Sequence, residues 1–433
     1  MGITPSTEIR WISTIYEKME FSRADYMIED SDEWDNKFPN TFKGFPSATK
    51  TQRHGTYWLA EYDFDTVTQQ KEEENPWEYP ARIIMKKDMK IKDVVKEHVL
   101  PLLPAKSLTK FRAVSKEWDK WIASPLLTHQ QSFSCQSFSG YFYQDTEMGG
   151  DPMFLSLDHS ASGVPSQFLD FLLEQNVKIL CSCSGLLLYQ GSEKYYVCNP
   201  ATQDWKMLPL PQYYHGDEPA VVLAFEPSLR NIEAYYHVIC AFPMLGQPII
   251  CFEIYSSESN TWSFSSAYCT DLENPKLLGG GSYMKGVAYY ETTSNEVLAF
   301  DVKNEIPAII SLPVLQVGRH GSLTQMEGEL CYVSANNECG NVFLIDIYQG
   351  MEMILRRSVS INLGVDRGFT QACEVLPCVN SDAVAIHVGG FIYFYHIRQQ
   401  KVEFITSPYA TGPGKKFLPY INSLAMLHEL MET

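Results

Sequence analysis

From about residue 133 onward one short pattern keeps returning, and it constrains the fold of this 433-residue chain more than any other feature. The unit is an apolar strand, a polar turn, and a second strand that often ends in proline. Tyr196-Val197-Cys198, the turn Asn199-Pro200-Ala201-Thr202-Gln203-Asp204, and Trp205-Lys206-Met207-Leu208-Pro209 form its clearest copy. It recurs at Phe252-Glu253-Ile254-Tyr255 before Trp262, at Val297-Leu298-Ala299-Phe300 before Ile309-Ile310-Ser311-Leu312-Pro313, at Val342-Phe343-Leu344-Ile345-Asp346, and at Phe394-Tyr395-His396 before Val402-Glu403-Phe404-Ile405. Anchored on Val197, Ile254, Phe300, Ile345 and Tyr395, the copies lie 57, 46, 45 and 50 residues apart. That is the period of four-stranded, kelch-type propeller blades, and roughly 300 residues at this spacing predict about six of them. Radial repetition leaves only short, protected sheet edges. The last blade must then be closed by strands from both ends of the domain, with Pro419–Leu427 expected beside strands near 135–157. Trp205 and Trp262 each open a second strand and are expected in the core between blades.

Upstream the periodicity changes. Ile91, Val95, Val99 and Leu103 recur at four-residue steps and predict one apolar helical face, with Lys92, Lys96 and Glu97 on the other side. Pro101 is expected to kink this helix and Pro104 to stop it. Ser107 is a candidate N-cap for a second helix carrying Leu108 and Phe111, Ser115 for a third carrying Trp118 and Ile122, and Ser124-Pro125 is expected to close the unit. Chains below about 40 residues rarely fold alone. An apolar stripe left uncovered on such a module is a binding face.

The stretch Leu103-Pro104-Ala105-Lys106-Ser107-Leu108, then Phe111-Arg112-Ala113-Val114-Ser115-Lys116-Glu117-Trp118, then Ile122-Ala123-Ser124-Pro125 resembles the F-box of plant proteins. Ile91-Lys92 stands where that module usually opens with Leu-Pro, and Ala113 stands at a usual Cys. Cys183-Ser184-Gly185-Leu186-Leu187, the run from Cys198-Asn199-Pro200-Ala201-Thr202 through Trp205 to Leu208-Pro209, and the terminal Pro419-Tyr420 to Ser423-Leu424 resemble the kelch-like F-box-associated domain of the same proteins. Most blades lack the usual Gly-Gly pair, for which Gly389-Gly390 is the best candidate. The resemblance implies an α+β multidomain chain in which a three-helix F-box at 88–130 precedes an all-β propeller at 131–433. Residues 1–87 do not follow the family. Their tryptophans, the helical pattern Trp11, Ile12, Ile15, Tyr16, Met19 and the charged stretch Glu72-Glu73-Glu74-Asn75-Pro76 predict an accessory segment of no assigned role.

Charge is distributed unevenly over a chain of net charge -18: residues 1–80 carry -8, residues 81–135 carry +6 and residues 136–433 carry -16. An acidic partner suits the basic segment, and the field of the remainder repels phosphate, which argues against nucleic acid. No run of 18 apolar residues is present to span a bilayer. No secretory signal is visible, and the eleven cysteines are irregularly spaced. Reduced thiols in the cytoplasm and/or nucleus are expected, serving as small buried hydrophobes. Cys181-x-Cys183 and the Cys373, Cys378 pair lack zinc-ribbon spacing, so no metal or other cofactor is expected.

No His-Glu-x-x-His helix or Gly-x-Ser-x-Gly elbow occurs. Gly412-Pro413-Gly414-Lys415 is expected to be a turn rather than a phosphate loop, and Gly279-Gly280-Gly281-Ser282 an inter-blade loop. His215, His237 and His320 are the residues to watch if a propeller enzyme is considered. The resemblance instead implies a non-enzymatic substrate receptor of a cullin-RING ubiquitin ligase. A Skp-family adaptor would dock on Ile91, Val95, Val99, Leu100, Leu103, Pro104, Leu108, Phe111, Val114 and Trp118, and the propeller would hold an unidentified target protein. An adaptor-independent scaffold or ligand-binding propeller is the alternative, with a propeller enzyme behind it.

Overall fold

The computed structural model describes residues 52–54, 57–59 and 91–427, the last apart from 146–149, 158–162, 166–176, 193, 217, 229–230, 232–233, 245–246, 248, 273–275, 314–320, 340–341, 364–372, 390 and 406–414. The chain divides into two units, Met1–Met89 and Lys90–Thr433. The first contributes a hairpin of β1 (Gln52–His54) and β2 (Tyr57–Leu59), with Arg53 opposite Trp58. The expected Trp11–Met19 helical face and the Glu72–Pro76 linker lie outside the described residues.

The second unit opens with α1 (Ile91–Val94), which widens into a π-helical turn over Val95–Val99 and tightens into a 3-10 turn over Leu100–Leu102. Pro101 explains the irregularity, because it donates no N–H and its ring crowds the preceding turn. Next come α2 (Ala105–Phe111), α3 (Lys116–Ile122) and α4 (Pro125–Ser134). Ser115 caps α3 as expected, its side chain accepting from the Trp118 N–H at 3.2 Å. Two expectations are corrected. The second helix starts at Ala105, so Ser107 lies inside it and Pro104 takes the N-cap position. Ser124-Pro125 does not end the module but opens a fourth helix, with Ser124 as the cap and Pro125 in the first turn, where its missing N–H costs nothing.

Strands rich in Val, Ile, Tyr and Phe then pair antiparallel in fours. Strand β3 (Phe138–Asp145) and strand β4 (Met153–Ser156) begin the series. The first full blade is β5 (Lys178–Cys183), β6 (Leu186–Gln190), β7 (Tyr195–Asn199) and β8 (Asp204–Met207). The second is β9 (Ala220–Phe225), β10 (Tyr236–Pro243), β11 (Ile250–Ser256) and β12 (Thr261–Cys269). The third is β13 (Ser282–Met284), β14 (Val287–Glu291), β15 (Glu296–Asp301) and β16 (Ile306–Ser311). The fourth is β17 (Gly321–Met326), β18 (Glu329–Cys339), β19 (Val342–Gln349) and β20 (Ile354–Asn362). The fifth is β21 (Cys373–Leu376), β22 (Ala383–Val388), β23 (Phe391–His396) and β24 (Lys401–Ile405). Each sheet runs in sequence order from first to fourth strand. The sixth joins β25 (Lys415–Ile421) to β3 and then β4, with Phe417 opposite Tyr143 and Pro419 opposite Tyr141.

This is a six-bladed propeller, and burial shows its polarity. All six residues of β9 are buried, whereas β20 is exposed along most of its length. First strands therefore face the axis and fourth strands the rim. Apolar clusters fill all six gaps between neighbouring blades, including the last, where Phe142, Leu418 and Tyr420 pack on Leu187, Tyr189 and Tyr196. Closure by β25 begins four residues earlier than expected. Pro419 is tolerated in it because β25 pairs on one side only. Trp262 is buried between the first two blades as expected, but Trp205 is 47% exposed, because β8 is a rim strand with solvent on its outer side.

Candidate functional site

Helices α1 to α4 bring the predicted adaptor-contact residues together and sort them by burial. Val95, Val99, Leu100 and Leu108 are buried in the module itself. Leu103, Phe111, Val114 and Trp118 are half-buried, while Pro104 is exposed and Ile91 is 69% exposed. Two exposed leucines extend the same module and were missed in the sequence: Leu102, rotated outward by the 3-10 turn, and Leu126, 64% exposed in the fourth helix. The run Leu100-Pro101-Leu102-Leu103 held the signal for the first, and Pro125 in a helix-opening position held it for the second. The Phe111 and Trp118 rings meet edge to face at 5.6 Å, and Trp118 lies 6.2 Å from Trp121. Charged side chains surround them, two of the cations being paired with carboxylates. Lys96 stands 6.0 Å from the Trp121 ring, Lys92 donates to Glu117 at 3.1 Å and Arg112 to Asp119 at 2.6 Å. Burial, with Lys110 as a second cause, holds the Lys106 ammonium below its ordinary range.

The helical module is fixed to the propeller at one face. After β25 the chain continues as a strap, Asn422–Leu427. Gln131 of α4 is fully buried and serves both sides: its Oε1 accepts from the Leu424 N–H at 2.8 Å, and its Nε2 donates to the Leu103 carbonyl at 3.4 Å. Asn199 Nδ2 donates to the Ser423 and Ala425 carbonyls at 3.0 and 2.7 Å. Ser423 Oγ donates to the Ser184 carbonyl, and the Asn422 N–H to Ser139 Oγ, both at 3.0 Å. Gly185, with φ +95°, completes the β5–β6 turn where any Cβ would collide with the Ser423 side chain. Ser184 and Asn199 lie at the β5–β6 and β7–β8 turns, and Asn380, between β21 and β22, donates to the Gln136 carbonyl at 3.3 Å. The helices thus sit on the face where first-to-second and third-to-fourth strand turns gather. The β6–β7 type turns and the connections between blades lie on the opposite face.

Of the histidines named for chemistry, His215 is held in a buried hydrogen-bond network. His215 bonds the Glu253 carboxylate through Nε2 at 2.8 Å and the Tyr195 hydroxyl through Nδ1 at 3.0 Å, all three groups being buried. Glu253 also accepts from the Gln212 and Tyr213 N–H groups at 2.8 and 3.2 Å. Trp262 Nε1 donates to the Pro209 carbonyl at 2.7 Å, and Gln212 Nε2 to the Trp262 carbonyl at 2.9 Å. This network pins the connection between the first two blades and leaves no group free for an external substrate. His237 lies in β10, where burial pulls its imidazole below the ordinary value. His320, Gly390 and Gly412 to Gly414 lie outside the described residues. Lys416, on the innermost strand of the sixth blade, donates to the Leu180 and Gly279 carbonyls at 2.7 and 3.2 Å, and burial lowers its pKa. Among the described residues, no group of three His, Cys, Asp or Glu is placed to hold a metal ion. Burial raises the Cys181 thiol to about 12 and the Cys183 thiol to about 11.

Residues 129–347 match the F-box associated beta propeller domain family. The chain belongs to that family. The match begins inside α4 and ends in β19, so Gln131 lies within it while its partners Leu103 and Leu424 lie outside. Relatives of the F-box associated propeller described here include three Arabidopsis thaliana proteins. F-box protein At5g03970 is 27% identical over 340 residues, 71% of this chain and 81% of the relative. F-box protein At5g49610 is 27% identical over 316 residues, 65% of this chain and 83% of the relative. F-box protein At5g07610 is 26% identical over 283 residues, 57% and 64% of the two chains.

Proposed function

We propose that this chain is the substrate-recognition subunit of an SCF-type cullin-RING E3 ubiquitin ligase, with the helical module docking on a Skp-family adaptor and the propeller binding a target protein. The observation that carries the proposal is the set of apolar residues that the helical module leaves exposed, Ile91, Leu102, Pro104 and Leu126, together with half-buried Phe111 and Trp118, on the basic segment of an otherwise acidic chain. Such apolar surface costs free energy in water unless another surface covers it. The receptor does no bond chemistry in this reading. It raises the effective concentration of target lysines at the ubiquitin-loaded enzyme, and the fixed helix-to-propeller geometry determines which lysines come within reach. The kelch-like character of the blades belongs to the same proposal, supported by their period, as does a cytoplasmic or nuclear location, supported by the ten unpaired cysteines among the described residues.

Burial decides how the proposal is tested. Leu108→Glu places a charge in the module core and unfolds it, so loss of binding there says nothing about the interface. Ile91→Asp with Leu126→Asp acts on the surface instead, at the two most exposed apolar side chains of the module. Co-expression with a Skp-family adaptor and size-exclusion chromatography should give a complex for the wild type and none for the double variant, with both receptors melting at similar temperatures. Co-elution of the folded double variant would remove this face from the interface. A folded wild type that never co-elutes would overturn the ligase assignment.

A further inference from the structure

The aromatic shelf on the face away from the helices has no role in the account above. Tyr213 is 43% exposed and stacks on Phe242 at 5.7 Å, with Phe264 5.1 Å from its ring. Tyr214, next to it, is 76% exposed. Pairing extends the surface. Phe242, Cys251 and Tyr268 stand in one row across β10, β11 and β12, and Cys240, Glu253 and Phe264 stand two residues along in the next, so Phe264 and Tyr268 share the face toward the first blade. The bulge in β12 inserts its extra residues between them.

These rings are held in water by buried polar chemistry. The Glu253 carboxylate fixes the Gln212 and Tyr213 backbone, and His215 is locked behind them. The loop therefore cannot fold its aromatics inward without breaking several buried hydrogen bonds. Rigid, half-exposed tyrosines that bind without losing much conformational entropy are the typical anchors of recognition surfaces. The charge on this face is negative: the two inter-blade connections that border the second blade, 208–219 and 270–281, carry Asp217, Glu218, Asp271 and Glu273 against Lys276 alone. An exposed aromatic face in a negative field attracts cations by quadrupole and Coulomb terms together, and guanidinium more than ammonium because it stacks flat.

We infer that the shelf formed by Tyr213, Tyr214, Phe264 and Tyr268 receives an arginine-rich, extended segment of a partner protein. Calling that partner the ligase target rests on the function proposed above; the chemistry of the site does not. Its position on the face opposite the helices leaves it open when they are occupied.

The test uses the full chain and three fluorescein-labelled peptides in which serine alternates with arginine, lysine or glutamate. Fluorescence anisotropy is followed for the wild type, for Tyr213→Ala with Tyr214→Ala, and for Tyr214→Ala with Tyr268→Ala, the last pair being less involved in packing. All variants keep the wild-type charge, so general attraction of the peptide to an acidic protein is unchanged among them. The expected order is arginine above lysine, with no glutamate binding, and each double variant weakens the arginine peptide about tenfold through two lost cation–π contacts. Equal binding by wild type and both variants would overturn the inference. So would tighter glutamate binding, or a wild-type dimer lost in the variants, which would assign the shelf to a second copy. Adaptor co-elution is measured on the same proteins. If the adaptor fails to bind while the peptides discriminate, the ligase reading falls and the shelf stands; the reverse result removes the shelf alone.

Discussion

Glu291 closes the third blade's second strand with its carboxylate accepting from the Leu323 N–H at 3.1 Å, and burial raises its pKa above the ordinary 4.5. A carboxyl whose folded pKa is raised binds its proton more tightly in the native state. Its contribution to stability is therefore lost as pH rises from the unfolded value through the folded one, and ionisation opposes folding at neutral pH. Glu291→Gln keeps an acceptor without the charge. Calorimetry should show a higher Tm than the wild type at pH 7.5 and no difference at pH 4. The cysteines give a second residue-level prediction. With Cys198 and Cys373 pushed to about 12 by burial and Cys378 to about 11, only a minute thiolate fraction exists at pH 8. Iodoacetamide at that pH should leave the ten described thiols of the native protein unmodified over minutes and label all of them in urea. Burial of eight of the ten described thiols was legible because cysteine fits a β-rich interior and the spacing offered no alternative, whereas Cys135 and Cys373 are only partly buried. The exposure of Trp205 was not, since a repeat aligns equivalent positions without saying which strand meets solvent.

At the scale of elements, the joint between α4 and the strap depends on one amide. Gln131→Leu leaves the Leu424 N–H and the Leu103 carbonyl without this partner, and urea unfolding should record a loss of about 1–3 kcal/mol. The same substitution should loosen the helices against the propeller, seen as faster hydrogen exchange at Leu424 and in α4. Helix caps were readable where a serine preceded an apolar run, as at Ser115. They were misread at Ser107 and Ser124 because a proline can stop one helix or start another, and only its position in the next turn distinguishes these. The four-residue spacing of Ile91, Val95, Val99 and Leu103 marked a helix correctly but not its face, because the π-helical and 3-10 turns around Pro101 rotate the stripe partway along. Gln131 itself carried no sequence signal, since its partners lie 28 and 293 residues away.

At the scale of the molecule, the repeat determined most of what was legible. Each of the five anchor residues, Val197, Ile254, Phe300, Ile345 and Tyr395, falls on the third strand of its blade, so the period counted blades even though no glycine signature marked them. The shelf could not be read in the same way, because it joins residues of a connection, a second strand and a fourth strand that share no motif. Ring closure yields a global prediction. A chain ending before Lys415 loses β25 and the strap together, exposing β3 and the inter-blade surfaces packed on Phe417, Leu418 and Tyr420. It should melt at a lower temperature and over a broader range than the full chain, and expose apolar surface to hydrophobic dyes.

The closing strand also orders events in time. A ribosome adding about 5–20 residues per second completes β25 tens of seconds after β3 has emerged. Until then β3 keeps an open edge, and Gln131 lacks the Leu424 N–H that will tie the helices down. A message truncated between codons 405 and 415 would yield five complete blades and an intact helical sequence without the lock that joins them. Such a product would keep apolar surface open to water, so the last strand of the domain is the step that turns five blades into a closed ring.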